Sequence, residues 1–292
     1  RANVKIEEGC ENFCSYCIIP FTRGKVRSKD KESVIQEIKN LAANGHREII
    51  LTGIDTGSYG KDLENYDLVD LVRDIEENVQ ENIRLRISSV EISEINDKFL
   101  KLLRDSRILA PHLHIPLQSG SEAVLKRMHR KYTPDEYLKT VKKIRKINPD
   151  IALTTDVIVG FPGETEKEYE ETYNFIKKIV FSNLHVFPYS KREGTKAALL
   201  GNEVNNRTKA QRVESLINLA ETLAKEYASK FENRILNVIF EEKDVNDSAY
   251  LVGHSGNYLR VKILGNEELI GKSVNVLIKS IAFPHLIGEI ID

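Results

Sequence analysis

Gly9-Cys10-Glu11-Asn12-Phe13-Cys14-Ser15-Tyr16-Cys17-Ile18-Ile19-Pro20 holds every cysteine of this 292-residue chain. Three thiols spaced by three and then two residues are poor material for a disulfide framework. One is left over, and loops this short between neighbours are strained. Three thiolates gathered by one short loop can instead hold a 4Fe–4S cluster by three of its irons. Such clusters usually take four Cys ligands, so a three-Cys site leaves one iron open to another ligand. A closed zinc site needs a fourth protein ligand. The stretch contains no His, so a distant one such as His112 or His114 would have to fold in. Free thiols are the remaining alternative.

Outward from this loop the chain alternates short apolar runs with amphipathic segments. Strands are expected at Val4, Arg47–Leu51, Ile83–Ser88, His112–Pro116, Ile151–Val159 and Leu184–Phe187. Helices are expected at 33–43, 68–79, 96–104, 122–128, 134–147 and 166–179, the first with Val34, Ile35, Ile38, Leu41 and Ala42 on one face. Strands alternating with helices at this spacing imply βαβ units and a parallel sheet. Six such units give an incomplete, partial (β/α)6 TIM-like barrel or a doubly wound open sheet, and periodicity alone does not separate the two.

Composition shifts after about Arg207. A helix carrying Val213, Leu216, Ile217, Ala220, Leu223 and Ala224 ends near Lys230, and five short strands follow at 235–241, 249–252, 258–264, 273–278 and 286–291. These predict a small all-β barrel of the OB-like type. The expected domains are therefore 1–229 and 230–292.

The hydrophobic content of 41% supports a substantial core, and no apolar run is long enough to span a membrane. The first residues lead directly into a strand without a signal peptide, and the lack of Met at position 1 leads us to expect that the numbering begins inside a longer chain. Thiols kept reduced for iron imply a cytoplasmic location. The net charge of −1 excludes a globally basic nucleic-acid binder. Locally, Lys126–Lys146 carries nine Lys or Arg against Asp135 and Glu136, which reads either as a solvated helix face or as a phosphate-facing patch. The last 62 residues carry six basic against nine acidic side chains, with Arg234, Arg260 and Lys262 among the basic ones.

In parallel βα architectures the reacting groups gather at the C-terminal ends of the strands. Here those ends are the cysteine loop, Thr52-Gly53-Ile54-Asp55, Ser88-Ser89-Val90-Glu91, Leu117-Gln118-Ser119-Gly120, Val159-Gly160-Phe161-Pro162-Gly163-Glu164 and Phe187-Pro188-Tyr189-Ser190. Asp156, within the fifth strand, reads equally as a buried structural carboxylate. His112 and His114 share one face of the fourth strand and read more readily as satisfied interior histidines than as ligands.

The spacing Cys10-x3-Cys14-x2-Cys17, with Tyr16 before the last Cys, resembles that of the radical S-adenosylmethionine (SAM) enzymes. This resemblance selects the partial barrel. It implies that the open iron binds the amino and carboxylate groups of SAM, and that one electron from the cluster cleaves SAM to a 5′-deoxyadenosyl radical. Cys10, Cys14 and Cys17 become the cluster ligands. Tyr16, Thr52, Gly53, Ser88, Glu91, Gln118, Asp156, Val159 and Phe187 become candidates for holding SAM: carbonyls near Gly53 for the amino group, polar side chains for ribose and carboxylate, and Tyr16, Val159 and Phe187 as an apolar wall for adenine.

A narrower resemblance rests on Glu8-Gly9-Cys10 through Arg23-Gly24, Leu-Thr-Gly-Ile at 51–54, Gly-Ser-Tyr-Gly-Lys-Asp at 57–62, His-Leu-His-Ile-Pro-Leu-Gln-Ser-Gly at 112–120, Gly-Phe-Pro-Gly-Glu-Thr at 160–165 and His-Val-Phe-Pro-Tyr-Ser at 185–190. These blocks look like those of the methylthiotransferases, and the second and third favour the tRNA N6-threonylcarbamoyladenosine branch. Residues 231–292 resemble that family's RNA-binding TRAM barrel. The implied reaction installs a methylthio group at C2 of the adenine at tRNA position 37. Isopentenyladenosine in tRNA, ribosomal protein S12, or RNA binding by a catalytically incompetent fragment are the alternatives. Family members hold an auxiliary 4Fe–4S cluster on three further Cys of an N-terminal domain. This sequence has no Cys to spare, so a truncated chain is expected. Lys191 stands where relatives often have Pro. Expected partners are tRNA, met by Arg23, Lys126, Arg127, Arg192 and Arg260, and an electron donor such as flavodoxin or ferredoxin. A monomer without membrane contact is expected.

Overall fold

A computed structural model describes residues 1–80 and 82–291; Glu81, and Asp292 at the end of the expected second domain, lie outside the described residues. In chain order the first strands are β1 (Ala2–Lys5), a two-residue ribbon of β2 (Glu7–Glu8) with β3 (Arg27–Ser28), β4 (Glu48–Thr52), β5 (Arg84–Ile87), β6 (His112–His114), β7 (Ala152–Val159) and β8 (Asn183–Pro188). The helices are α1 (Ile19–Arg23), α2 (Lys31–Ala43), α3 (Leu68–Asn78), α4 (Asp97–Asp105), α5 (Glu122–Arg127), α6 (Pro134–Ile147), α7 (Glu166–Ile179) and α8 (Asn206–Ser229).

β1, β4 and β5 pair in parallel, as do β6, β7 and β8. The two trios are joined by a parallel bridge between Leu85 and Leu109 and by Val90 N–H donating to the His114 carbonyl. Six parallel strands thus curve into the expected partial barrel, and no ladder joins β8 to β1 among the described residues.

Side-chain alternation divides each strand. Val4 and Ile6, Ile49 and Leu51, Leu85 and Ile87, Leu113 and Ile115, and Leu153 and Val157 lie in one buried apolar cluster with the helices. The opposite, concave face carries Glu48, Arg84, Arg86, His112, His114, Thr154, Asp156 and His185. An inward face of this polarity is a lined lumen rather than a packed core.

Element ends follow local chemistry. α2 starts two residues before the expected Ser33, because the Asp30 side chain accepts from Ser33 N–H and caps the helix there. The strand expected from Tyr258 begins only at Arg260, because Tyr258 adopts a left-handed φ of 67° and turns away from the ladder.

α8 is followed by β9 (Ile235–Lys243), β10 (Tyr250–Ser255), β11 (Arg260–Leu264), β12 (Ser273–Ala282) and β13 (His285–Ile290), which close into a five-stranded barrel in the order β10-β11-β13-β12-β9. Val238, Phe240, Leu251, Val261, Ile263, Val276 and Ile278 fill it, together with Tyr227 and Phe231 from the α8 end. Its Gly256–Tyr258 turn docks where the larger barrel's strands begin. The Gly256 carbonyl accepts from Arg86 at 3.1 Å, and the Tyr258 ring lies 5.2 Å from His112 and 4.5 Å from the Arg86 guanidinium. One end of the lumen is therefore stoppered, and the strand C-terminal end stays open.

α8 is locked to the loop after β7 by a buried ion pair. Arg212 donates to Glu164 at 2.6 Å and to Glu166 at 2.9 Å, and Glu164 also accepts from Gly160 N–H at 2.6 Å. Arg212→Ala would strand a buried carboxylate, and a loss of about 3–5 kcal/mol is expected, measured by urea unfolding of the whole chain.

Candidate active site

The cysteine loop sits at the open mouth and is pinned from three sides. Cys10 N–H donates to the Gly24 carbonyl, Ser15 N–H to that of Met128, and the Ser15 carbonyl accepts from Ala197 N–H. Gly9 enters with φ 95°, and a Cβ there would lie 2.0 Å from the Lys25 carbonyl oxygen, so only glycine fits. Cys17 N–H donates to the Cys14 carbonyl at 3.0 Å, which turns the loop back on itself.

Each outer thiol has a distinct environment. The Cys10 thiol donates to Asp55 at 3.6 Å. Burial pushes it up to about 12, against a backbone bond from Asn12 and with help from the Asp55 charge. Burial also pushes Cys17 up. Bare thiolates are disfavoured here, which is the condition that bound iron cations relieve. Arg130, buried and ion-paired to Glu91, donates to Cys14 Sγ at 3.3 Å.

The three sulfurs do not form a group with ligand atoms within 4.8 Å of one another; among the described residues that spacing occurs only in His114, Asp156 and His185. A single zinc ion draws its ligands together, whereas a cluster spreads three thiolates over three irons. Neither His112 nor His114 joins the thiols at single-ion spacing. The donor set fits the cluster.

A place for an amino group lies beside it. Glu7 is buried, its Oε2 accepts from Asp55 N–H at 2.8 Å, and its Oε1 has no partner. A Cβ on Gly53 would lie 2.6 Å from that carboxylate, so glycine opens the approach. The orphaned, buried acceptor fits the ammonium of SAM. Glu7 was missed by sequence reasoning; its position one turn of the pleat beyond β1, just before the loop, was the available signal. Glu94 was missed too. It accepts from Ser58 and Lys61, and burial, reinforced by the Asp55 charge, raises it to about 7.

The remaining expected residues divide. Thr52 and Gly53 end β4 beside Glu7, and the Ser88 hydroxyl bonds that of Thr56 at 2.8 Å. Gln118, in the left-handed region at φ 62°, extends the β7 ladder by bonding Asp156 and Ile158 through its backbone. Tyr16 packs edge-on against Phe161, and Phe187 is exposed on the concave side of β8. Val159 is a correction: it is fully buried in the helix-side core, and Ile158, one residue earlier on the alternating strand, packs like Tyr16 against the cluster that holds Phe161 and Tyr189. Glu91 is committed to Arg130. Asp156 bonds His114 and His185; although burial opposes it, those two imidazoles hold its carboxyl well below the usual carboxylate range.

The basic stretch is largely spent internally. Arg127 pairs with Glu168 through both terminal nitrogens, Lys126 pairs with Glu122, and Lys143 pairs with Asp97. Lys139, Lys142 and Lys146 remain exposed on α6, as do Arg192 and Arg260 elsewhere, while Arg23 lies 3.6 Å from Glu8.

A cation and hydrogen-bond donor at a cluster sulfur raises the reduction potential. Arg130→Met is therefore expected to shift the reconstituted cluster's potential more negative by on the order of tens of millivolts, read by potentiometric titration followed by electron paramagnetic resonance.

The radical SAM superfamily model matches residues 4–176. The chain is 48% identical over its whole length to the threonylcarbamoyladenosine tRNA methylthiotransferase MtaB of Bacillus subtilis, of which it covers 65%. It is 39% identical over its whole length to the tRNA-2-methylthio-N(6)-dimethylallyladenosine synthase of Carboxydothermus hydrogenoformans, of which it covers 66%. It thus spans just under two thirds of these relatives. In fold it is similar to coproporphyrinogen III oxidase (HemN) of Escherichia coli, a radical SAM enzyme, with a TM-score of 0.55 at 14% identity, covering 95% of this chain and 66% of that one. It is also similar to the radical SAM methyltransferase TsrM of Kitasatospora setae, with a TM-score of 0.57 at 17% identity, covering 68% of this chain and 38% of that one. The match over residues 4–176 runs from β1 to within α7 and takes in the cysteine loop, so the chain belongs to the radical SAM superfamily, whose cofactors are a 4Fe–4S cluster and SAM.

Proposed function

We propose that this chain is the radical SAM core of an enzyme that methylthiolates C2 of N6-threonylcarbamoyladenosine at position 37 of tRNA. The observation that carries the reading is the 48% identity, across every element described above, to a relative named for that modification. The concave face agrees with it. Toward the open mouth the concave face carries His114, Asp156 and His185, which suit a nucleoside side chain bearing a carboxylate and a ureido group better than an apolar dimethylallyl group.

Bound at the mouth, the cluster and SAM supply the one-electron chemistry that an unactivated aromatic C–H requires. The chain's own groups position them. Cys10, Cys14 and Cys17 hold iron, Arg130 donates to Cys14, and Glu7 with the carbonyls around Gly53 receives the SAM amino group. Ser88, Gln118 and Thr52 border the ribose and carboxylate, and Tyr16 and Phe187 border adenine. Sulfur insertion draws on an auxiliary cluster whose ligands these three cysteines do not supply.

The proposed division is 1–229 for the catalytic domain and 230–292 for a TRAM-type RNA-binding barrel. Arg23, Lys126, Arg192 and Arg260, with the free lysines of α6, offer phosphate contacts; Arg127 acts indirectly, by fixing the turn that holds Ser15. A cytoplasmic monomer reduced by a flavodoxin or ferredoxin completes the reading.

The test is anaerobic reconstitution with iron and sulfide, followed by reductant, SAM and tRNA, with chromatography for 5′-deoxyadenosine. Production stimulated by tRNA bearing threonylcarbamoyladenosine, and abolished in Cys14→Ala, is the expected result. Equal or greater stimulation by dimethylallyladenosine tRNA overturns the substrate assignment. No deoxyadenosine from a cluster-loaded chain overturns the catalytic one.

A further inference from the structure

Three adjacent parallel strands bring metal-ligating side chains together on the concave face: His114 on β6, Asp156 on β7 and His185 on β8. His114 Nε2 lies 3.3 Å from Asp156 Oδ2, and His185 Nδ1 lies 3.1 Å from Asp156 Oδ1. One donor atom from each of the three falls within 4.8 Å of the other two. Two donors on one ion at about 2.1 Å stand roughly 3.0–3.4 Å apart in octahedral or tetrahedral geometry, so a carboxylate whose two oxygens each face one imidazole at 3.1–3.3 Å can receive an ion with little rearrangement.

We propose that His114, Asp156 and His185 form a binding site for a divalent first-row cation of the zinc or ferrous class, separate from the cysteine loop. Two imidazoles and one carboxylate are the donor set such ions prefer over magnesium or calcium. The ligands come from neighbouring strands of one sheet and therefore approach from one side, which leaves the lumen side of the ion open to water or to an oxygen donor.

The surroundings have the features of a supported site. His114 Nδ1 lies 3.0 Å from the Thr154 hydroxyl, which also lies 3.1 Å from His112 Nε2. This fixes the ring so that Nε2 faces Asp156, the outer-shell arrangement that orients metal-bound histidines. The His114 and His185 rings stack at 5.7 Å, and His185 is 56% exposed, which provides a path for the ion to enter.

The test uses the full chain, anaerobically reconstituted so that its thiols are occupied, freed of loose iron and titrated with Co(II). The expected result is one equivalent of Co(II) beyond the cluster iron, with visible d–d absorption and no thiolate-to-cobalt charge transfer. Asp156→Asn and His185→Gln, shown to be folded by circular dichroism, should abolish it, and Thr154→Val should weaken it about 10- to 100-fold. Three results overturn the site: no uptake, uptake that survives Asp156→Asn and His185→Gln, or bands with thiolate charge transfer. Any of these leaves the three residues as a hydrogen-bonded triad.

Discussion

A single buried carboxylate, Glu48, holds the floor of the larger barrel together. Arg1, Arg84 and Arg86 reach it at 2.9, 3.1 and 3.0 Å. Burial works against its ionisation, and the three guanidinium groups overcome it, so it titrates below the usual range. The need for such a group follows from the strand pattern. Helices cover the outer face and take the apolar residues, so the inner face inherits charges that must be paired or pay a heavy desolvation cost. Glu48 balances one of the three charges and Glu241 of the smaller barrel pairs Arg1 at 2.6 Å, while the Asn237 and His254 carbonyls accept from Arg84 and the Gly256 carbonyl from Arg86. Docking of the C-terminal barrel is thus part of how the lumen is electrostatically satisfied.

The two ends of the lumen consequently differ. At the stoppered end the arginines share Glu48 and Glu241, the rings of His112 and His254 flank that of Tyr258, and one nitrogen each of Arg86 and His112 is buried without a partner. At the open end several groups are left in costly states: Cys10 and Cys17 pushed up by burial, Glu94 raised to about 7, and Glu7 Oε1 without a partner. Unsatisfied groups in a native protein concentrate where a ligand completes them.

Most of the architecture was legible in the sequence because it depends on local signals. Alternating runs such as Ala152–Val159 and capped helices such as Thr133–Glu136 carry their own period and start. The smaller barrel was readable from Gly- and Asn-punctuated strands. Tyr258 was not, because a bulky aromatic rarely takes the left-handed position that closes the tight Ser255–Leu259 hairpin turn. The cysteine loop declared itself through spacing, whereas Glu7, Glu94 and Arg130 did not, since a charged residue gains its role from what surrounds it in space. Arg130 looked like one of nine basic residues on a solvated run, yet it is buried against Glu91 and Cys14. Val159 failed for a simpler reason: on a strand, a shift of one residue exchanges lumen for core.

The fate of that basic run bears on how a polyanion could be met. Arg127, Arg130 and Arg145 turn inward to Glu168, Glu91 and the Val180 carbonyl, while Lys126 and Lys143 are paired on the surface. The C-terminal barrel carries more acidic than basic residues, and Lys243 and Lys262 there are paired with Glu267 and Asp244. Phosphate attraction from so few free cations is modest, since each contact releases only its own counterions. On the proposed function, selectivity for a structured RNA would rest on shape more than on phosphate attraction. Beside the cysteine loop, exposed Phe13 and Phe21 offer apolar surfaces against which a base can stack.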